Sequence, residues 1–389
     1  MITKLWTNHF MRICIANMLL FVSLYMLFPV LPLEMADRLG VPVSDTGVMF
    51  LFFTLGMFLV GPFHAYLVDA YKRKNICMYS FAIMLAATAG YAFVSNMTEL
   101  LLLSMAQGVA FSIATTAGIT LAIDVTNPTK RSAGNAGFSW MVRLGMIIGV
   151  VLGIGLFYFG EGLSNVMQFK NILYASVAVA ALGILFVSGV YVPFRAPIMT
   201  KVYSLDRFLL PRGWIPALNL ILLAFVCGLI ISLSHPFLNS TSISGLTLPI
   251  PFFAMVACGF LLSLPIKRLL FKGDKTFRIM LAGALLILVS MLILAPETLI
   301  IAAILFGLGL GHIAPEFLMM LVKLSQHCQR GTANNTHLLS WEVGVALGIA
   351  AACNLDTDSL LLTAKITAIL ILLFFALITY PYYRKMKIR

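Results

Sequence analysis

Twelve stretches of this sequence are apolar over a length that crosses a bilayer, and that pattern limits the fold more than any other feature. They run at about 10–33, 47–69, 75–95, 98–124, 134–160, 170–194, 214–237, 248–271, 277–295, 298–324, 333–354 and 359–383. A helix of roughly 20 apolar residues spans the hydrocarbon layer. Turn-forming residues separate several of the stretches, at Gly40–Asp45, Thr126–Thr129, Asn239–Gly245 and Asp356–Ser359. Hydrophobic residues make up 61% of the chain and charged residues only 10%. No soluble domain of this length hides so much apolar surface, so the bilayer is the expected solvent. The expected fold is an all-α membrane protein with six helices in each half.

The halves are related in sequence. The segment from Arg131 to Gly153 returns from Arg330, offset by 199 residues. Counting from each Arg, an Asn falls at +4 (Asn135, Asn334), and Gly at +14 (Gly145, Gly344) and +18 (Gly149, Gly348). At +12 the two copies carry opposite charges, Arg143 and Glu342. Repeated halves are typical of secondary transporters, whose sites lie where the repeats meet. Two pseudo-symmetric bundles follow, 1–194 and 214–389, joined by a linker at 195–213. The linker is too short for a further domain and reads as a tether.

The net charge of +12 does not indicate nucleic acid, because the bases fall on one side. With the N-terminus in the cytoplasm, 22 of the 26 Lys and Arg lie in cytoplasmic segments. The outer loops hold mainly acids, among them Glu34, Asp37, Asp45, Glu99, Glu161, Glu297, Asp356 and Asp358. This satisfies the positive-inside rule with both termini cytoplasmic in an inner (plasma) membrane. The first apolar run serves as an uncleaved anchor. The six Cys are scattered through apolar runs and near basic loops, and imply no disulfide framework. There is no metal-ligand spacing, phosphate loop or nucleophile motif, so no cofactor is implied and an enzyme is not expected.

After the second stretch comes AYLVDAYKRK, Ala65 to Lys74. It resembles the loop motif of the major facilitator superfamily, Gly-x-Leu-Ala-Asp-Arg-x-Gly-Arg-Lys. Leu67, Asp69, Arg73 and Lys74 match, while Ala65, Ala70 and Lys72 depart from it. The resemblance implies a cytoplasmic gate: Asp69 facing the start of helix 11, and Arg73 pairing with an acid at the end of helix 4, here Asp124, followed by Arg131. Helix 5 carries Gly145, Gly149 and Gly153, similar to the exporter motif Gly-x3-Gly-Pro-x2-Gly-Gly but with Val150 and Ile154 in place of the Pro and the last Gly. The same glycines also suit close helix packing, and the two readings stay open. Helix 4 has Ser104 where proton-coupled relatives have Arg, so that arginine's role is not carried over. Its Gly108, Ser112, Thr116, Thr120 and Asp124 form one small polar face, for a cavity or for packing. LFPVLPLEMADRLG, in helix 1 and its loop, resembles the drug and sugar efflux branch of the family.

Charges inside spans are costly and mark function. Arg143, Glu316 and Glu342 each lie eight or nine residues inside the same end of their helices, about 12–14 Å deep. They permit either a shared substrate or an ion pair clamping the halves. His312 stands four residues before Glu316, on its face. Asn17 and Asn219 occupy repeat-equivalent places in helices 1 and 7. The expected substrate and proton site is therefore Glu316, Arg143, Glu342, His312, Asn17 and Asn219, with Glu316 the proton or substrate carrier and Glu342 a structural or gating partner. The expected function is alternating-access transport of a small organic solute by a monomer in the bilayer, with protons as coupling ion. Efflux by antiport is the first reading, uptake by symport the second, and a non-transporting receptor the third.

Overall fold

The computed structural model describes residues 5–159, 165–192, 201–205, 207–233, 242–243, 246–247, 249–270, 276–326 and 329–386. The linker positions 195–200 and 206, Glu161 and Cys328 lie outside the described residues. Apart from an antiparallel pair of two-residue strands, Ser242–Ile243 and Leu246–Thr247, the described elements are helical. The first half contains α1 (Asn8–Leu27), α2 (Val43–Ala70), α3 (Arg73–Gly90), α4 (Met97–Asp124), α5 (Arg131–Phe159) and α6 (Asn165–Ser188). The second contains α7 (Trp214–Ser232), α8 (Pro249–Leu270), α9 (Thr276–Leu292), α10 (Leu299–Leu324), α11 (Arg330–Ala352) and α12 (Thr357–Phe374).

Ten of these helices are long and apolar enough to cross a membrane on their own composition. The exceptions are instructive. α9 is 17 residues long. α11 has the length, but carries Asn, Thr, His, Ser and Glu along its first half, nearly all of them buried. Such a helix is stable in a bilayer only when neighbours cover its polar positions.

Local sequence starts and breaks the helices. Thr7 caps α1 by accepting from the Phe10 amide at 3.3 Å. Asn96 caps α4 through the Glu99 amide at 2.9 Å, and the Glu99 carboxylate accepts in return from the Ser95 amide at 2.9 Å. Gly61 and Pro62 interrupt α2 with a short 3-10 turn, because proline cannot donate to the helical ladder. Gly40, at φ 65°, ends the short helix Leu31–Leu39 in the left-handed conformation that glycine adopts freely.

The packing repeats with the sequence. α1 lies on α5 and α6, and α7 lies on α11 and α12; α2 lies on α4 as α8 lies on α10. α3 meets α4 and α6 as α9 meets α10 and α12. The glycine ladder explains the tightest of these contacts. A β-carbon on Gly145, Gly149 or Gly153 would run into the carbonyl oxygen of Met18, Val22 or Met26 on α1. On Gly344 or Gly348 it would strike the Ile221 or Phe225 carbonyl on α7. The helix-5 glycines are therefore packing residues, and an exporter role need not be invoked for them. Between the halves, α2 meets α11 and α5 meets α8 and α10, a pairing symmetric under the repeat.

Candidate functional site

Where α1, α5, α7, α8, α10 and α11 converge, the two halves border a half-open pocket with about 490 Å³ of empty space, counting the open solvent at its mouth. Its wall is aliphatic and aromatic: Ile147 and Val150 of α5, Ile230 of α7, Phe253 and Phe260 of α8, Phe306 and Leu310 of α10. The polar exceptions are Tyr25, Arg143, Cys227 and the indole of Trp341.

Arg143 is buried, with 2% exposure. Its guanidinium lies over the Trp341 ring, 3.7 Å from the centroid, in a cation–π contact. Nη1 points to the Met146 sulfur at 3.1 Å, a weak acceptor. Nε and Nη2 are buried and have no hydrogen-bond partner. Glu342 is also buried, at 1% exposure. Its Oε2 accepts from the Tyr25 hydroxyl at 2.9 Å, and its Oε1 has no partner. Glu342 meets Tyr25 and Arg143 meets Trp341, and the two charges form no ion pair with each other. The clamp reading of this pair is not what the structure contains.

Glu316 is placed elsewhere. It forms an ion pair with Lys267, in the last turn of α8, and does not belong to the pocket wall. Grouping Glu316 with Arg143 and Glu342 is therefore corrected. Equal depth along three helices says nothing about the direction in which each side chain leaves its axis, and Glu316 leaves toward α8. His312 follows it away from the pocket, its Nδ1 2.7 Å from the Leu308 carbonyl. Asn17 and Asn219 are likewise removed from the pocket. Asn17 donates to the Ile13 carbonyl at 3.0 Å and packs against Gly118 of α4. Asn219 donates to the Thr379 hydroxyl at 2.9 Å, in the π-helical turn that follows α12. Both serve helix contacts.

A second polar cluster lies at the end of the bundle that holds Asp69. Arg73 donates from Nη1 to both oxygens of Asp124, at 2.5 and 2.7 Å. Its Nη2 donates to Asp69 at 3.0 Å and its Nε to the Val68 carbonyl at 3.1 Å. The other Asp69 oxygen accepts from Arg207 of the linker at 3.1 Å. Arg131 takes no part in the cluster. Nor does Asp69 reach α11 directly: the linker stands between them. Thr332 donates to the Arg207 carbonyl (3.2 Å), Asn335 to the Phe208 carbonyl (3.0 Å), and the Leu210 amide to the Thr336 hydroxyl (2.8 Å). The Phe208 ring packs on Gly61, at the break in α2. What reads in sequence as a tether is, over its described residues, a wedge joined to both halves.

The polar face of α4 is used for contacts as well. Ser112 and Thr116 flank the buried His64 of α2, at 3.1 and 3.2 Å from its ring nitrogens. Thr116 also donates to Asn335 of α11 at 3.2 Å.

Comparison with known proteins agrees with this architecture. The sequence pattern of the Major Facilitator Superfamily matches residues 13–349. The chain belongs to the major facilitator superfamily. Among solved structures it is similar to a bacterial homolog of the human lysosomal transporter Spinster in an inward-facing, unoccupied conformation. The TM-score is 0.67 at 16% identity, over 97% of this chain and 96% of that one. The nucleoside transporter NupG gives 0.67 at 14% identity, over 95% and 99%. A peptide transporter in complex with alafosfalin gives 0.71 at 13%, over 97% and 95%. No curated protein sequence matches the chain. At these identities the likeness concerns the fold, and the protein is a superfamily transporter rather than an enzyme.

Several site residues had no signal in the sequence. Tyr25, Trp341 and Cys227 look like ordinary apolar-span residues, and Lys267 and Arg207 look like positive-inside bases. The one hint was Trp341 beside Glu342, an aromatic next to an intramembrane charge.

Proposed function

We propose that this protein carries a small organic solute across an inner (plasma) membrane by alternating access, with both termini cytoplasmic and protons as the coupling ion. The observation that carries the reading is a pocket at the junction of the halves with a buried Arg in its wall and a buried Glu behind that wall, close to the Arg but forming no ion pair with it. The units that move are residues 1–194 and 214–389, acting as a monomer. Rocking them apart at the Asp69 end requires the linker to release α11 and Arg207 to release Asp69. We assign those contacts as the cytoplasmic gate.

The proton site we assign to Glu342 rather than Glu316, because Lys267 already neutralises Glu316. A negative solute held by Arg143 would make a proton on Glu342 more favourable, and a protonated Glu342 would leave Arg143 free for the solute. Linkage of that sign gives co-transport of proton and solute, and uptake under an inward proton gradient. Efflux by antiport is the second reading, favoured by the likeness of LFPVLPLEMADRLG to the efflux branch. It requires proton and solute to compete.

One experiment separates them. Purified protein in proteoliposomes is screened against a solute panel under pH gradients of either sign. Uptake driven by an acidic exterior supports co-transport, and uptake driven by an acidic interior supports antiport. Absence of flux under both gradients sinks the transport reading and leaves a binding protein.

A further inference from the structure

The pocket's unmet hydrogen-bonding capacity is one-sided. Arg143 offers Nε and Nη2, both buried and unpartnered. Nε and Nη2 form the side edge of a guanidinium, the fork that receives both oxygens of one carboxylate. Stacking on Trp341 fixes the plane of that fork, and Nη1 is turned aside to Met146. The unpartnered acceptor nearby, Glu342 Oε1, belongs to a residue outside the pocket wall. The cavity that Arg143 borders is otherwise lined by Phe253, Phe260, Phe306, Ile147 and Leu310. These give an apolar body somewhere to rest and provide no further charge.

We infer that the transported solute is an amphipathic monocarboxylate, its carboxylate seated on the Nε–Nη2 edge of Arg143 and its flat apolar body between the phenylalanines of α8 and α10. The inference deepens the transport reading and rests on it. A buried guanidinium with two unmet donors is unfavourable in the empty protein, and a carboxylate ligand is the group that relieves it. A cation would meet Arg143 as a like charge. A neutral polar solute would offer the two donors only an uncharged, weaker acceptor.

Three probes of one shape test this: naphthalene-2-carboxylate, its amide, and the corresponding aminomethyl cation. Binding to the purified wild-type protein in detergent is measured by equilibrium dialysis. The carboxylate is expected to bind at least tenfold more tightly than the amide, with no saturable binding of the amine. Equal binding of all three, preference for the amine, or binding of none overturns the proposal. Because this ranking is read on the wild type, it holds even if a variant fails to fold. Arg143→Gln is expected to abolish the preference for carboxylate over amide. Arg143→Lys is expected to retain part of it, since lysine keeps the charge and loses the fork. A preference unchanged in Arg143→Gln also overturns the proposal. Flux in proteoliposomes distinguishes the two levels. Carboxylate binding without flux of any solute sinks transport and leaves the anion site, whereas flux of the amide but not the carboxylate does the reverse.

Discussion

The charges at the Asp69 end and those beside the central pocket differ in one respect, and it sorts structure from function. At the Asp69 end, Arg73 spends its donors on Asp124, Asp69 and a backbone carbonyl, and Arg207 takes the remaining Asp69 oxygen. That network is satisfied and partly open to water. At the pocket, Arg143 and Glu342 are more deeply buried, yet each keeps polar atoms without partners. A satisfied network holds a conformation. Charges left unmet in a dry interior lower stability and are retained where a ligand completes them.

The comparison breaks most visibly at Arg143. Arg143→Met is expected to reduce solute transport about 100-fold or more, since each hydrogen bond to a charged group contributes about 1.5–3 kcal/mol. Thermal unfolding of the variant should be unchanged or shifted upward, because an incompletely paired buried charge has been removed. A large drop in the unfolding midpoint with binding intact would mean that Arg143 is a structural residue.

Arg73 should show the opposite pattern. Arg73→Ala strands Asp124, and a loss of about 1–3 kcal/mol in stability is expected, together with slower transport. Asp69→Asn keeps the shape and drops the charge. It should slow the transport cycle while leaving solute affinity nearly unchanged, as measured by comparing flux with equilibrium binding. Normal flux in both variants would remove the gate.

Glu316→Gln sharpens the contrast between the two acids. With Lys267 as its partner, Glu316 behaves as half of an ion pair, and its replacement should cost about 1 kcal/mol and preserve gradient-driven transport. Loss of gradient-driven flux with solute exchange retained would return the proton-carrier role to Glu316.

The smallest effect is expected at Arg207, whose side chain is 48% exposed. Arg207→Ala should change stability by about 0.5 kcal/mol or less. It should also speed limited proteolysis of the linker, by freeing one of its attachments. Unchanged cleavage would show that the linker's bonds to α11 hold it without Asp69.

By itself the sequence determined the solvent, the number of helices, the kinship of the halves and the family. Those rest on apolar length, a repeat at an offset of 199 and a loop motif, all properties that survive without coordinates. It also found Arg143 and Glu342, because a charge inside a span is rare whatever its neighbours. Only the tertiary structure decided what each charge meets. Arg143, Glu316 and Glu342 look equivalent along their helices, but helix rotation sends Glu316 toward Lys267 and the other two toward Tyr25 and Trp341. Asn17 and Asn219 were polar and repeat-related, and packing turned both into helix contacts. The linker's role was hidden for a similar reason. Its bonds to α11 run through backbone groups that every residue carries, so nothing in its composition distinguishes a wedge from a tether. Depth follows from counting residues, whereas partners depend on rotation about a helix axis, and that angle is fixed by neighbours distant in the chain.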